Sequence, residues 1–495
     1  MVREENIRLI LGLKVRMRRQ ELGLSLSELA KKAELSVSYL NEIEKGKKYP
    51  KRTKIVLLAN ALQLSYDQLV SLKISKKLSP LSNLLKSNLL QELPLEVFGI
   101  EPRNLLELVS DAPAKLSAFI NTIVEISRNY DLTVENLYFS VLRSYQEMHE
   151  NYFEEVEEAA QNFMSKYFNE GKPNIEDLEK FLKEEHGYEF DEQQLAVNPS
   201  KGSLHSFLKD DGEDGKKTLM LHPQLSPDHK LFVLCREAAY NFMEIQDRTK
   251  TYSWVRVKSF DELLNHHMAS YFAGALLMPE KEIATDLADF LSSETFSQNK
   301  FLDIFNKYQV SPEIFLSRLT SILPKFFGID KIFFLRLNNN PGDNAFKLTK
   351  ELHLAGLHSP HGTVLSEHYC RRWVSLKIFQ QLEKDQLEDP KKIVCNSQVS
   401  RYITSGKEYF CITLAHGLNR QPAVNTSITI GFFIDDTLKQ TCRFLSDPSI
   451  KVEMVNETCE RCPSTDCTVR GFAPTVLEKD KREKEIEDIL KGLME

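Results

Sequence analysis

The spacing of apolar residues divides the chain into three regions with different predicted elements. Residues 1–74 show the helical period in short stretches that are separated by tight turns. Residues 75–300 are predicted to be mainly helical, with a polar, glycine-containing interruption near 199–216 and a linker at 75–83. Residues 301–495 contain short β-branched or aromatic runs such as IFFLRL, CITLAHG and SITIGFFID, which predict strands. The pattern therefore predicts a multidomain α+β protein with boundaries near residues 74 and 300.

The first region carries signals for the start and stop of successive helices. Ser25, with Glu28 three residues later, has the spacing of a capping box, and Ser36 is placed to cap the following helix. Gly23 and Gly46 follow two of the predicted helices, as glycine commonly does. Two capped helices joined by a turn of a few residues predict a helix-turn-helix, an all-α bundle whose second helix enters the major groove of DNA.

This second helix supplies the candidate contacts to DNA. Val37, Leu40 and Ile43 have the spacing of a buried face, so the other side chains of the helix are expected to point outward. Basic residues that follow the helix are placed to contact phosphates, which contribute affinity but no sequence information. The candidate DNA-binding residues are Ser25, Ser36, Ser38, Tyr39, Asn41, Glu42, Lys45, Lys47, Lys48 and Arg52.

The segment LSLSELAKKAELSVSYLNEIEKGKKYP resembles the Xre/Cro-type DNA-binding domain. The family often has glutamine where this chain has Leu26. The resemblance implies double-stranded DNA as partner. Because one recognition helix reads few base pairs, a homodimer on paired half-sites is expected. A small helical protein–protein module is the alternative.

In the middle region, residues 219–243 predict a strand followed by a helix. Together with HHMASYFAGALLMPE they give a second resemblance, to the metallopeptidase-like domain found behind some Xre-type modules. That family binds zinc through the two histidines of HExxH, and the glutamate is the base. The corresponding positions here are Arg236, Glu237 and Tyr240, and an arginine cannot ligate zinc. His266 and His267 are adjacent, so they point to different helix faces. The sequence therefore predicts no catalytic residues and no enzyme activity, with Glu237 paired to Arg236 or Tyr240.

Composition narrows the class of protein. The 495 residues carry a formal net charge of −7, and 42% are hydrophobic, which excludes a largely disordered chain. Basic residues exceed acidic ones in 1–74 while the remainder is acidic, so DNA binding is expected at one end only. No apolar run is long enough to span a bilayer and no signal peptide is recognisable, so we expect a cytoplasmic protein without membrane contact.

Seven of the eight cysteines lie after residue 369, and three of them form the pattern CERCPSTDC. In a reducing cytosol such clustering favours metal ligands over disulfides. Cys459, Cys462 and Cys467 supply three thiolates, and Cys370 is the candidate for the fourth. Sulfur-only ligation suits zinc or an iron–sulfur cluster, and the spacing does not choose between them. The thiols beside apolar segments are predicted to be buried core groups: Cys395, Cys411 and Cys442.

A third resemblance links the C-terminal region to the short-chain fatty acyl-CoA-responsive transcription regulators of bacteria. It rests on CRRW at 370–373 and CERCPSTDCTVRGFAP at 459–474, and with the two preceding domains it spans nearly the whole chain. It implies a GAF-like α/β C-terminal domain, a short-chain acyl-CoA as effector and, in at least some members, a [4Fe–4S] cluster on these cysteines. Arginines near Cys370 are placed to meet phosphates of the effector. The candidate effector residues are Arg371, Arg372 and Trp373.

The sequence thus predicts a ligand-responsive transcription regulator, and two alternatives stay open. One is an iron–sulfur redox sensor without acyl-CoA as effector, which would show operator affinity that changes with cluster oxidation alone. The other is a zinc peptidase that acts on a partner repressor, which would show chelator-sensitive cleavage.

Overall fold

A computed structural model of the protein describes residues 4–71, 134–168, 171–195, 205–210, 217–250, 257, 259–354, 367–418 and 424–494. The chain separates into two compact units, one of residues 1–141 with 258–261 and one of residues 142–257 with 262–495. The predicted linker at 75–83 lies outside the described residues.

Short helices form a bundle in the first unit. They are α1 (Glu4–Glu21), α2 (Leu26–Lys32), α3 (Val37–Glu44), α4 (Arg52–Ala61) and α5 (Tyr66–Val70). The predicted capping box of Ser25 and Glu28 is present at α2, and Ser36 caps α3 as expected. A second capping box, of Ser65 and Gln68, starts α5, a helix that was not predicted from the sequence.

Close packing of α1 against α3 fixes the position of the predicted recognition helix. A Cβ atom at Gly12 would lie 2.3 Å from the carbonyl oxygen of Ile43, so only glycine permits this approach. Arg19 donates from Nε and Nη2 to the two carboxylate oxygens of Glu44, at 2.7 and 2.9 Å. Because the Glu44 side chain is only 5% exposed, this paired geometry restrains the end of α3 more than a surface ion pair would.

Further helices and a small sheet follow along the chain. They are α6 (Val134–Met148), α7 (Glu154–Tyr167), α8 (Ile175–His186), β1 (Tyr188–Asp191), β2 (Ser206–Asp210), β3 (Lys217–Leu221), α9 (Pro227–Phe242), α10 (Phe260–Leu277), α11 (Glu280–Leu291), α12 (Gln298–Tyr308) and α13 (Pro312–Phe327). Strand β3 lies between β1, with which it is parallel, and β2, with which it is antiparallel. The predicted order of a strand and then a helix over 219–243 is confirmed by β3 and α9. Strand β2 lies inside residues 199–216, which were predicted to be a polar interruption between helices.

The predicted strands of the C-terminal region form a larger sheet. Its elements are β4 (Ile332–Asn339), β5 (Phe346–His353), α14 (Val374–Asp385), β6 (Val394–Tyr402), β7 (Glu408–Leu418), β8 (Val424–Phe433), α15 (Asp436–Thr441), a 3-10 turn (Arg443–Ser446), β9 (Val452–Val455) and α16 (Thr475–Met494). In the described residues this sheet has six strands in the order β5-β4-β8-β7-β6-β9. Neighbouring strands are antiparallel except β6 and β9.

The alternation of side chains along β4 places two hydrophobic cores on opposite faces of the sheet. Phe334 joins the larger core, which includes residues of α7 to α13. Its neighbours Phe333 and Leu335 join a second core with α14. The structure is therefore of mixed α and β class, with its large sheet between two helical layers.

The last described helix, α16, is exposed over residues 478–493. Ile486, Ile489, Leu490 and Leu493 are among its exposed apolar side chains. Charged residues alternate with these apolar ones in KDKREKEIEDILKGLME, so α16 is an amphipathic helix exposed to solvent. Among the helices in the described ranges, none combines the length and apolar character needed to cross a lipid bilayer.

Candidate functional sites

The recognition helix α3 presents a polar outer face, and its inner face is buried. The Tyr39 N–H donates to Ser36 Oγ at 3.2 Å, which starts the helix at Val37. Leu40 and Ile43 are fully buried, as the spacing predicted. On the other side Ser36 and Ser38 are exposed, and the candidates Tyr39, Asn41 and Glu42 are partly exposed.

The prediction that Val37 belongs to the buried face is wrong. Its side chain is 45% exposed. The buried spacing begins only at Leu40, since Val37 is the first residue of the helix and the core of the bundle takes in Leu40 and Ile43 without it. The outer face of α3 therefore includes one apolar side chain among polar ones.

The candidate phosphate contacts divide into exposed and paired side chains. Lys47 and Arg52 are exposed, and Lys45 is partly so. Lys48 is also exposed, but its Nζ lies 2.8 Å from Glu42 Oε2 and 5.8 Å from the centre of the Tyr39 ring. The hydrogen bond from Lys48 lowers the pKa of Glu42 below its usual value. Glu42 is therefore an anion with a cation beside it. Ser25 lies apart from α3 in sequence and serves as the cap of α2.

The peptidase-like centre of α9 is occupied by side chains that bond to one another. Glu237 Oε2 accepts from Tyr188 Oη at 3.1 Å and from Arg248 Nη2 at 2.9 Å. Arg236 is more distant, with Nη2 3.9 Å from Glu237 Oε1. The prediction of Arg236 as a partner is confirmed only as this longer contact, and the hydrogen bonds come from Tyr188 and Arg248. Neither partner was recognisable from the sequence, because each comes from a distant segment.

His266 meets Tyr240 across the contact between α9 and α10. Its Nδ1 lies 3.4 Å from Tyr240 Oη and 2.9 Å from Thr249 Oγ1. Burial lowers the pKa of His266 well below its usual value, and the positive charge of Arg236 acts in the same direction. The adjacent His267 instead approaches Gln146, which confirms that the two histidines face different ways. With a buried arginine and a tyrosine where the family has histidines, these residues do not fit a zinc ion.

The cysteine site forms where two distant segments run side by side. Tyr369 and Thr458 make an antiparallel bridge. The Cys459 N–H donates to the His368 carbonyl oxygen at 2.9 Å, and the Cys370 N–H donates to the Glu457 carbonyl oxygen at 3.2 Å. This pairing brings Cys370, the candidate fourth ligand, beside the CERCPSTDC loop. Cys370, Cys459 and Cys462 are buried, and Cys467 is partly exposed.

Two arginines near the cysteines, Arg461 and Arg470, bond to oxygen atoms rather than to the thiols. Arg470 donates from Nη1 to the carbonyl oxygen of Cys459 at 2.8 Å and from Nη2 to that of Cys462 at 3.1 Å, and it also bonds to the carbonyl oxygen of Ser464. Arg461 forms a two-fold hydrogen-bonded pair with Glu367, at 2.7 and 2.8 Å. The bridged segments are thus held together by side-chain bonds as well as by backbone pairing.

The donors at this site are of the chemical type that binds zinc or an iron–sulfur cluster, since all four candidates are cysteines without a disulfide. Burial raises the pKa of the Cys370 thiol to about 11, and the charges of Cys462 and Cys459 act in the same direction. A metal bound by these cysteines would displace the protons of their thiols. Asn456 Nδ2, in the residue whose N–H donates to Cys370, is buried without a hydrogen-bond partner among the described residues.

The thiols of the cysteine site do not surround a common point in the described residues. Across the described ranges, no three histidine, cysteine or acidic side chains converge closely enough to hold a metal ion. The three remaining predicted core thiols are confirmed as buried: Cys395, Cys411 and Cys442.

The candidate effector residues lie beside the cysteine site. Trp373 is buried, and its indole N–H donates to the Asn456 carbonyl oxygen at 2.9 Å. Arg372 donates to the Met454 carbonyl oxygen at 3.3 Å. Arg371 lies near the rings of Phe346 and Phe472, with distances of 4.6 and 5.7 Å to their centres. The two arginines keep part of their surface exposed, whereas Trp373 supports the fold from inside.

Comparison with known families assigns two parts of the chain. Residues 15–69 match the helix-turn-helix family, and residues 184–320 match the family described as IrrE N-terminal-like domain. The first domain is of the helix-turn-helix type. The second match covers the helices that carry Glu237 and His266, and the cysteine site lies outside both matched ranges.

Whole-chain comparisons add little. No curated protein matches the chain. Among solved structures, a Mycobacterium tuberculosis transcriptional regulator is similar with a TM-score of 0.47 and 18% sequence identity, covering 68% of this chain and 93% of that chain. A TM-score of this size is too low to establish a common fold, so this likeness carries no argument about function.

Proposed function

We propose that the protein is a transcription regulator that binds double-stranded DNA through α3. The observation that carries the proposal is the match of residues 15–69 to the helix-turn-helix family. It is supported by the exposed outer face of α3 and by Lys47 and Arg52 beside it. In this arrangement Ser38 and Asn41 reach base edges, and the basic side chains hold the phosphates.

The proposal includes a homodimer. A single recognition helix reads only a few base pairs, and helix-turn-helix dimers bind half-sites about one turn of DNA apart. Sedimentation of the protein with and without an operator duplex measures the number of chains per duplex. Two chains on a two-fold symmetric duplex are expected, and a single chain bound at saturation would contradict the dimer.

Two variants test the DNA contact by their different effects. We expect Asn41→Ala to lower the preference for the operator over unrelated sequence, since a good base contact contributes about 1–3 kcal/mol of discrimination. Lys47→Ala removes a phosphate contact, so it weakens binding to all sequences and lowers the slope of log affinity against log salt by about one. Both are measured by fluorescence anisotropy at several salt concentrations. If both variants bind like the parent at matched salt, α3 is not the recognition helix.

We further propose that the C-terminal domain is a GAF-like sensor that receives a short-chain acyl-CoA. The proposal is supported by the CRRW resemblance and by Arg371 and Arg372, whose partly exposed guanidinium groups suit phosphates. An effector changes DNA binding only if it prefers one of two states of the protein. Operator affinity is therefore measured with propionyl-CoA and with free CoA as control. An equal effect of both compounds would contradict recognition of the acyl group.

The cysteine site is proposed to hold a metal centre, a [4Fe–4S] cluster or alternatively zinc, on Cys370, Cys459, Cys462 and Cys467. An iron–sulfur cluster would supply sensitivity to oxidation, and this chain's own contribution is the loop held by Arg470. The alternative of a redox sensor without acyl-CoA predicts that oxidation changes operator affinity and that propionyl-CoA does not. A peptidase activity is not proposed, because Arg236 and Tyr240 replace the zinc ligands.

A further inference from the structure

Val37 is an exposed apolar side chain at the start of the recognition helix. It is 45% exposed, whereas Leu40 and Ile43 on the same helix are fully buried. We propose that Val37 contacts the 5-methyl group of a thymine in the operator and so selects a T·A pair at one position of each half-site. This inference rests on the proposed DNA-binding function.

The valine does not serve the stability of α3. The helix start is already capped by Ser36 Oγ, which accepts the Tyr39 N–H at 3.2 Å. Valine is a weaker helix former than many polar residues, and acidic side chains are the ones that the helix dipole favours in a first turn. Val37 also takes no part in the core of the domain. A single exposed apolar residue is ordinary elsewhere on a protein surface, but here it stands where α3 meets the major groove.

Several polar side chains near Val37 already bond to other groups of the protein. Ser36 Oγ is the cap, and Glu42 pairs with Lys48, which also lies over the ring of Tyr39. Val37 is therefore the side chain at the start of α3 that gains from an apolar partner. In the major groove the thymine 5-methyl is the apolar group among base edges, since the other bases present donors and acceptors there.

The experiment begins with an operator selected from a pool of random duplexes by the full-length protein. Each thymine of the selected duplex is then replaced in turn by deoxyuridine, which lacks only the 5-methyl group. We expect one thymine in each half-site at which this change weakens binding about four-fold, the equivalent of ~0.8 kcal/mol for one buried methyl group. At that position Val37→Ala binds the thymine and uracil duplexes equally, so the two changes are not additive.

Val56→Ala is the matched control, because Val56 is 40% exposed on α4 and belongs to no proposed contact. Its sensitivity to uracil should equal that of the parent. Uracil sensitivity that persists in Val37→Ala, or that is lacking at every thymine in the parent, overturns the assignment of Val37 while DNA binding stands. Failure of the pool to yield any selected sequence contradicts the proposed function itself, and the inference with it.

Discussion

The peptidase-like centre and the cysteine site differ in what their buried polar groups bond to. In the first, Glu237 bonds to Tyr188 and Arg248, side chain to side chain. In the second, Arg470 bonds to backbone carbonyl oxygens of the loop and leaves the thiols of Cys459 and Cys462 unused. In the first centre the Glu237 carboxylate is hydrogen-bonded by its neighbours, whereas in the second the loop carries cysteines that form no disulfide.

The first centre lacks the zinc ligands of the metallopeptidase-like family that it resembles, because Arg236 and Tyr240 stand at their positions. Arg236 places a permanent positive charge among the groups that would surround zinc, and the charge acts on both Tyr240 and His266. A second cation would be repelled there. At the cysteine site burial is the main cause that raises the pKa of Cys370, and the neighbouring Cys462 and Cys459 act in the same direction.

The largest effect is expected from Cys462→Ser. Protein purified without oxygen should contain about four irons and four sulfides per chain if the proposed cluster is present, or one zinc if it is the alternative. The variant should lose this metal entirely, because the loop then offers too few thiolates. Iron, sulfide and zinc are measured by chemical and elemental analysis.

Cys395→Ala is the control for this loss, since Cys395 is a buried core thiol outside the loop. It should retain the full metal content. Metal that persists in Cys462→Ser, or folded parent protein with neither metal, would contradict the site.

A gain of zinc is expected when the peptidase-like centre is reopened. The double variant Arg236→His with Tyr240→His places two histidines one helical turn apart, facing His266 from the neighbouring helix. Three nitrogen ligands suffice for a catalytic-type zinc site. Elemental analysis after dialysis against dilute zinc should show one more zinc per chain than the parent.

The double variant combined with His266→Ala should lose that additional zinc. An unchanged zinc content in the double variant would mean that Arg236 is not what closes the centre.

A smaller effect, on stability, is expected from Glu237→Gln. The change leaves Arg248 without its carboxylate partner in a buried setting, where loss of one member of an ion pair costs about 3 kcal/mol. Urea unfolding followed by circular dichroism measures the change in free energy of unfolding.

Glu483→Gln is the matched control, because Glu483 pairs with Lys479 on the exposed helix α16. Exposed ion pairs contribute roughly 0–1 kcal/mol, so this variant should unfold like the parent. Equal effects of the two substitutions would contradict the distinction between the buried and exposed carboxylates.

Features encoded in a few neighbouring residues were the ones predictable from the sequence. The capping serines, the apolar and aromatic run of β4 and the strand-to-helix order of β3 and α9 follow from neighbouring residues. Such signals act within one element, so they hold whatever the rest of the chain does.

Contacts between distant segments were not predictable. Val37 has the spacing of the core but lies outside it. Arg248 and Tyr188 reach Glu237 only after the chain has folded, and no periodicity marks them. The sequence offered Cys370 as the fourth ligand because of its residue type, and this role stays a prediction. The backbone pairing that places Cys370 beside the CERCPSTDC loop joins distant segments, and no sequence pattern marked it.

The bonds of Arg470 have a consequence for the order of events at the cysteine loop. The Arg470 guanidinium donates hydrogen bonds to the carbonyl oxygens of Cys459, Cys462 and Ser464. The loop backbone therefore loses its conformational entropy when the protein folds, before any metal binds. If the proposed metal binds at this loop, its binding energy contributes to affinity rather than to ordering the loop backbone. Under the same proposal the metal would leave and rebind while the domain stays folded.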